Sequence, residues 1–501
     1  MAAGQRSVAP PPARPPSLPA RLLRVVALVA GLAAIGVGAF LLAAPVRAIG
    51  GVEQVAVGRT PATVYLPAGP ERGPAVVVAH GFAGSQQIME AFALALARGG
   101  YRVVSFDFPG HGRSAAPLAD GNDREARSRQ LAAALDDVVR YAQARFGGPV
   151  GLLGHSMGSE AVARYAAEHP EIAATVGVSL VYRGVTPERP RNLLVLTGAW
   201  EPGLIPVAQA VADGAAGGAG ATGVTYGSFA EGTARRVVLV PWAEHVAVLF
   251  APVSLEESYR WFRAAMPLEA AGAGEPDVAA VVRRVPALGL IFTGAVLLFW
   301  PLAVLVQPIG PLLAARRALS RRAWWAVALI PAALTPLLLL VVPSRGLLPI
   351  LVGGPLALFF GLYGLLSLAG LAVALAMGQR GDGRTGERLG RRAGRWRRGV
   401  MMSLAVALLA VGYVFLAFGL PAQLALLNYF PPPVRLPVFL AVLAAMLPYF
   451  LADEALTRRP EAPRGAYAIT KLCFVLALAA AIALDPGALA FLLLVAPIFV
   501  L

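Results

Sequence analysis

Apolar runs long enough to cross a bilayer constrain this chain more than any other feature. They cover roughly 25–46, 287–306, 323–342, 347–377, 400–420 and 436–452. About 20 such residues span the hydrocarbon core of a bilayer. A further apolar region, 472–501, is broken at Asp485-Pro486-Gly487 into halves that are each short of that length. It reads either as one tilted span with a buried carboxylate or as a shallow hairpin. With 57% hydrophobic and only 14% charged residues, against about 25% charged in soluble domains, a wholly soluble protein is the reading least compatible with the composition. The predicted architecture is a membrane anchor over 25–46, a water-facing domain over 50–266 and an all-helical, multi-pass membrane domain over 287–501.

Charge is segregated in the same way. Between Gly50 and Val282 there are 18 arginines against 22 acidic residues, whereas the rest of the chain carries 25 basic and 6 acidic residues. Most of these outlying basic residues flank the apolar runs, which is a topology signal and not the folded basic face that nucleic acid requires. Arg6, Arg14, Arg21 and Arg24 precede the first run, which predicts a cytoplasmic N-terminus and a 50–266 domain outside the cytoplasm. The arginines of 316–322, 380–398 and 458–464 then fall on the cytoplasmic side. Arg47, Arg283 and Arg284 count the other way and are outnumbered. Residues 1–20, rich in Pro and Ala, read as a disordered tail. The Val46-Arg47-Ala48 sequence weakly resembles a cleavage site, but the long apolar run favours an uncleaved anchor. A single cysteine, Cys473, excludes an internal disulfide, and five histidines leave little for a metal site. No metal and no cofactor is expected.

Within 50–266 the pattern changes to short β-rich runs alternating with helical segments. Strands are predicted at 75–79, 102–106, 150–153, 174–180, 192–197 and 235–240, with an antiparallel edge strand at 63–66. Helices are predicted at 86–97, 123–145, 157–168 and 255–265. Such alternation predicts an α/β fold, a mostly parallel sheet covered on both faces. The Gly/Ala-rich stretch 213–222 reads as a surface loop.

Gly154-His155-Ser156-Met157-Gly158 follows the apolar run Val150–Leu153 and precedes a helix-compatible stretch. Strand, tight turn and helix are the context in which G-x-S-x-G exposes a nucleophile, here Ser156, with Gly154 and Gly158 permitting close approach. The N–H of Met157 at the following helix N-terminus is a candidate oxyanion donor.

With these residues in place, 62–266 resembles the α/β-hydrolase superfamily, in the branch of small esterases, lipases and serine peptidases. His80-Gly81-Phe82-Ala83 resembles its oxyanion turn, Asp107-Phe108-Pro109-Gly110-His111-Gly112-Arg113-Ser114 its D-x-x-G-H-G-x-S segment, and 194–202 its acid-bearing strand and turn. The resemblance implies a triad in the order Ser156, Glu201, His245, with Glu201 where Asp is usual. It also implies oxyanion donors at Phe82 and Met157. Glu244, adjacent to His245, is a rival acid, and Asp213 a remote third. His80, Asp107, His111, His155 and His169 are expected to shape turns or pack, not to react.

Only about 181–191 separates the two strands between which a cap is usually inserted, so an open site is expected, with Tyr182, Arg183 and Trp200 as candidates for its mouth. The predicted function is a membrane-bound serine hydrolase that cleaves esters or related acyl or amide bonds. Small-molecule, lipid and peptide substrates all remain compatible with it. The alternatives are a transporter or membrane scaffold with a hydrolase-like processing or binding domain, and an inactive binding domain on an anchor.

Overall fold

The computed structural model describes residues 17–119, 123–268, 275–306, 319–343, 346–350, 353–377, 390–459 and 462–489. The tail up to residue 16, Arg316, Arg317, and the stretch 490–501 lie outside them.

The chain opens on helix α1 (Leu18–Arg47) and then builds a nine-stranded sheet, β1 (Gly51–Val57), β2 (Thr60–Leu66), β3 (Gly73–Ala79), β4 (Arg102–Phe106), β5 (Gly147–His155), β6 (Ala174–Val178), β7 (Leu193–Gly198), β8 (Thr225–Tyr226) and β9 (Arg235–Val240). Helices α2 (Glu90–Arg98), α3 (Arg124–Phe146), α4 (Met157–Glu168), α5 (Ile205–Ala216) and α6 (Pro252–Ala265) interleave with them. The strand order is β1-β2-β4-β3-β5-β6-β7-β9-β8. All pairings from β4 to β9 are parallel, and β1, β2 and β8 are antiparallel additions. This is the mostly parallel, doubly covered sheet that the alternating pattern predicts.

Strand β3 shows why its sequence is a continuous apolar run. Val76 and Val78 pack on one face with α2 and α6, while Ala75, Val77 and Ala79 pack on the other with α3 and α4. A strand buried on both faces has no polar alternation to show. Helix α3 starts where Asp123 accepts the Ala126 N–H at 2.8 Å and stops at Gly147, whose φ of 70° is the left-handed C-terminal stop.

Two local expectations are corrected. The 63–66 segment is not an edge strand, because β1 pairs along its outer side. The 213–222 stretch is not all loop. Helix α5 runs through Ala216, since Val207, Ala208, Val211 and Ala212 bury one face of it.

Beyond the sheet come α7 (Val278–Val282), α8 (Arg284–Val306), α9 (Arg321–Leu339), α10 (Gly353–Met377), α11 (Gly390–Val414), α12 (Leu420–Ala425), α13 (Leu436–Thr457), α14 (Ala466–Leu484) and α15 (Pro486–Leu489). Among the described residues, seven helical stretches are long and apolar enough to cross a membrane, the first being α1 and the last α14. Helix α14 starts six residues before the apolar region read at 472 and so reaches spanning length before Asp485 ends it. Helix α1 packs antiparallel on α8 through small residues. A Cβ at Gly31 would lie 2.9 Å from the Gly294 carbonyl oxygen, and one at Gly38 would lie 2.6 Å from that of Ala287. Such close backbone approach is how helices associate when the surroundings are already apolar. Lys471 on α14 pairs with Asp453 on α13 at 2.6 Å, both largely buried.

Candidate active site

The turn from β5 into α4 sets the site. Ser156 sits between them with φ 52° and ψ −116°, a conformation that L residues avoid. The glycines on either side make the turn sterically feasible. A Cβ at Gly154 would meet the Gly158 carbonyl oxygen at 2.2 Å, and one at Gly158 would meet the carbonyl oxygens of His80 and Ala79 at 2.5 and 2.6 Å. The side chain is thereby lifted to the C-terminal edge of the sheet, where Met157 opens helix α4.

His245, in the turn after β9, reaches across 89 positions of sequence and places Nε2 3.0 Å from Ser156 Oγ. Its Nδ1 lies 2.6 Å from Glu201 Oε1. Glu201, in the turn after β7, is held from behind. Its Oε2 accepts the Gly198 N–H at 2.6 Å and the Ser179 hydroxyl at 2.9 Å. Burial pushes the Glu201 carboxyl pKa up, but the hydrogen bonds from His245, Gly198 and Ser179 outweigh it and leave the group below its ordinary value. It is therefore a carboxylate at neutral pH, and Nδ1 of His245 carries the proton it receives. In the neutral imidazole this tautomer leaves Nε2 as the acceptor for the Ser156 hydroxyl.

The rival acids are occupied elsewhere. Glu244 turns away from His245 and accepts the Val246 and Ala247 N–H groups at 2.9 and 2.7 Å. Asp213 accepts from Gln209 and the Gly220 backbone, tying down the end of α5.

On the opposite side lies the 80–83 turn. A Cβ at Gly81 would come within 3.2 Å of Ser156 Cβ, so the turn carrying Phe82 abuts the serine. His80 fixes this turn, with Nδ1–H donating to the Gly81 carbonyl at 2.7 Å and Nε2 accepting the Phe108 N–H at 3.1 Å. Asp107 holds the same region by accepting from Gln86 through both backbone and side chain and from the Arg113 N–H. His111 donates Nδ1–H to the Pro109 carbonyl. Burial lowers the pKa of His80, and lowers those of His111 and His155 to about 4, so all three are neutral imidazoles at pH 7. His169 is stacked on Tyr165 at 3.8 Å, far from this chemistry.

Two supporting contacts are not apparent from sequence. Ser179, at φ 50° just after β6, is read there as a polar residue ending an apolar run, with nothing to connect it to Glu201. His155 donates Nε2–H to the His245 carbonyl at 2.9 Å and so clips the histidine-bearing turn to the elbow. Of the expected mouth residues, Trp200 and Arg183 are exposed, while Tyr182 packs under the Arg164 guanidinium. The stretch between β6 and β7 contains no helix, so no cap is inserted there. No cluster of metal-ligating side chains occurs among the described residues.

Residues 70–210 match the family model described as serine aminopeptidase, S33. A non-heme chloroperoxidase from Burkholderia pyrrocinia is 33% identical over 124 residues, 25% of this chain and 41% of that protein. A bifunctional esterase/perhydrolase from Acinetobacter calcoaceticus is 35% identical over 119 residues, 23% of this chain and 40% of that protein. The chain thus spans about two fifths of the length of these curated relatives. A dienelactone hydrolase structure from Anabaena variabilis aligns with 43% of this chain and 99% of its own, at 19% identity and a TM-score of 0.31.

Proposed function

We propose that this chain, an α/β-hydrolase domain joined to a set of apolar helices, is a membrane-bound serine hydrolase that cleaves carboxylic esters or related acyl bonds. The observation that carries the reading is the continuous hydrogen-bonded path from Ser156 Oγ through His245 to Glu201, at 3.0 and 2.6 Å. In this reading His245 Nε2 removes the hydroxyl proton as Ser156 Oγ attacks the substrate carbonyl carbon. Glu201 keeps the imidazole in its Nδ1–H tautomer and stabilises the imidazolium as it forms. The N–H groups of Phe82 and Met157 bind the oxyanion, preorganised by the His80 network and by the start of α4. The leaving group takes its proton from His245 Nε2, and water then releases the acyl group from Ser156 by the same route.

The catalytic domain belongs on the non-cytoplasmic side in this reading. Support comes from the basic loops flanking the apolar helices. It also comes from the α12–α13 linker, which alternation puts outside and which hydrogen-bonds to the hydrolase domain at Ser85 and Ser114.

A membrane-impermeant fluorophosphonate applied to intact cells tests both parts. Labelling that is lost in Ser156→Ala is the expected result. Ser156-dependent labelling only after lysis would overturn the orientation, and no Ser156-dependent labelling at all would overturn the enzyme.

A further inference from the structure

The apolar helices leave the hydrolase domain at the same edge of the sheet that carries the triad. Strands β3 to β7 and β9 run parallel, so the turns bearing Phe82, Ser156, Glu201 and His245 share one edge. Helix α2 starts at that edge and runs back to the opposite one, where its last residue, Arg98, pairs with Asp277 at 3.6 Å. The chain then retraces α2 through α7, and Arg284 at the start of α8 pairs with Glu90, the first residue of α2. Helix α8 therefore continues outward past the catalytic edge. Helix α1 lies antiparallel beside it, its Leu42 carbonyl accepting from Arg284. The linker between α12 and α13 reaches the same edge. There the Asn428 N–H donates to Ser85 Oγ at 3.0 Å and Arg435 donates to the Ser114 carbonyl, in the turns after β3 and β4.

The rim of the site at the same edge carries exposed apolar side chains. Trp200 and Trp242 meet edge to face at 5.9 Å, one on the turn of the acid and the other on the turn of the histidine. They are 60% and 80% exposed, Val246 is exposed next to His245, and Phe82 is exposed on the 80–83 turn across the site. Trp242 also holds φ 58°, a strained conformation for a bulky residue. An exposed pair of tryptophan rings is well suited to the lipid–water interface.

We infer that the substrate is a long-chain carboxylic ester of a membrane lipid, taken from the adjoining leaflet across the tryptophan rim. The inference rests on the serine-hydrolase reading of Ser156. The ester C–O bond breaks as Ser156 Oγ becomes acylated, and the lipid alcohol leaves with the proton from His245. Water then supplies the hydroxyl of the released fatty acid and returns a proton to Ser156. The tryptophan rim lies in the headgroup region and brings the catalytic edge to the depth of the ester carbonyl.

The test uses the full chain in phosphatidylcholine vesicles, with p-nitrophenyl acetate in solution and a fluorogenic dihexadecanoyl glycerol ester in the bilayer. The wild type should turn over the bilayer ester at least tenfold faster than the acetate. That ratio should fall at least tenfold in Trp242→Ser and in Trp200→Ser. Fluorophosphonate labelling of each variant shows that its site is folded, and two variants guard against one failing to fold. Ser156-dependent acetate hydrolysis without the lipid preference, or a higher rate on a peptide, would overturn the lipid assignment while leaving the hydrolase intact. Loss of all Ser156-dependent labelling in the wild type would overturn the hydrolase reading and this inference with it.

Discussion

Replacing Glu201 by Gln tests the site most sharply, because the structure dictates how the amide must sit. In the native site Oε2 faces two donors, the Gly198 N–H at 2.6 Å and the Ser179 hydroxyl at 2.9 Å, and Oε1 faces the Nδ1–H of His245. A glutamine has one oxygen and one NH2 group for these two positions. The Gly198 N–H is fixed backbone and cannot turn away, so the oxygen must take its side and the NH2 must face His245. The imidazole is then driven to carry its proton on Nε2, where it cannot accept one from Ser156. The same wrong-tautomer effect lowers turnover about 10,000-fold in a serine protease triad, equivalent to about 5.5 kcal/mol of barrier. We expect a loss of that order in kcat/KM on a soluble acetate ester, with the variant still folded. Ser179→Ala, which removes one charge-assisted hydrogen bond and leaves the carboxylate, should lose only about ten- to a hundredfold, in line with about 1.5–3 kcal/mol for a bond to a charged group. Turnover by Glu201→Gln within tenfold of the wild type would refute the claim that Glu201 orients His245.

Three further outcomes follow from contacts outside the triad. Gly158→Ala forces a Cβ to within 2.6 Å of two backbone carbonyl oxygens. It should destabilise the domain by about 3 kcal/mol, read as a lower thermal midpoint. Burial holds the folded-state pKa of His111 at about 4, below its ordinary value near 6.5, so the unfolded chain binds the extra proton between those values. Stability is therefore full above pH about 6.5 and falls toward pH about 4. His111→Asn should flatten that part of a thermal-midpoint profile, and an unchanged slope would contradict the assignment. Lys471→Met strands the buried Asp453 carboxylate and should cost about 3 kcal/mol. Adding Asp453→Leu should recover most of the loss in a detergent melting series.

Much of this protein is legible in sequence because its signals are local. A bilayer span is a contiguous property, so the apolar runs mark helices long and apolar enough to cross a membrane without any knowledge of contacts. The alternation of strand and helix marks the sheet for the same reason, and G-x-S-x-G carries its own steric argument in the glycines flanking Ser156. What is missed has a physical cause. Strand β1 alternates only weakly because it lies at the sheet edge with half of its residues exposed. The end of α5 is built from Ala and Gly, whose composition imitates a loop until Val211 and Ala212 are seen packed against the sheet.

Other properties exist only in three dimensions. Glu201 and Glu244 both lie near His245 in type or position, and the choice between them is made by direction. The turn after β7 brings one carboxylate to Nδ1, while the other folds back to cap its own turn. Ser179 and His155 acquire their roles from neighbours 22 and 90 positions away. The direction in which the catalytic edge faces is likewise absent from any local pattern. It depends on the chain reversing along α2, from the pair of Arg98 with Asp277 to that of Arg284 with Glu90. Hydropathy shows that helices flank the domain, but only the packing of α7 against α2 sends them past the end of the sheet where Ser156 lies.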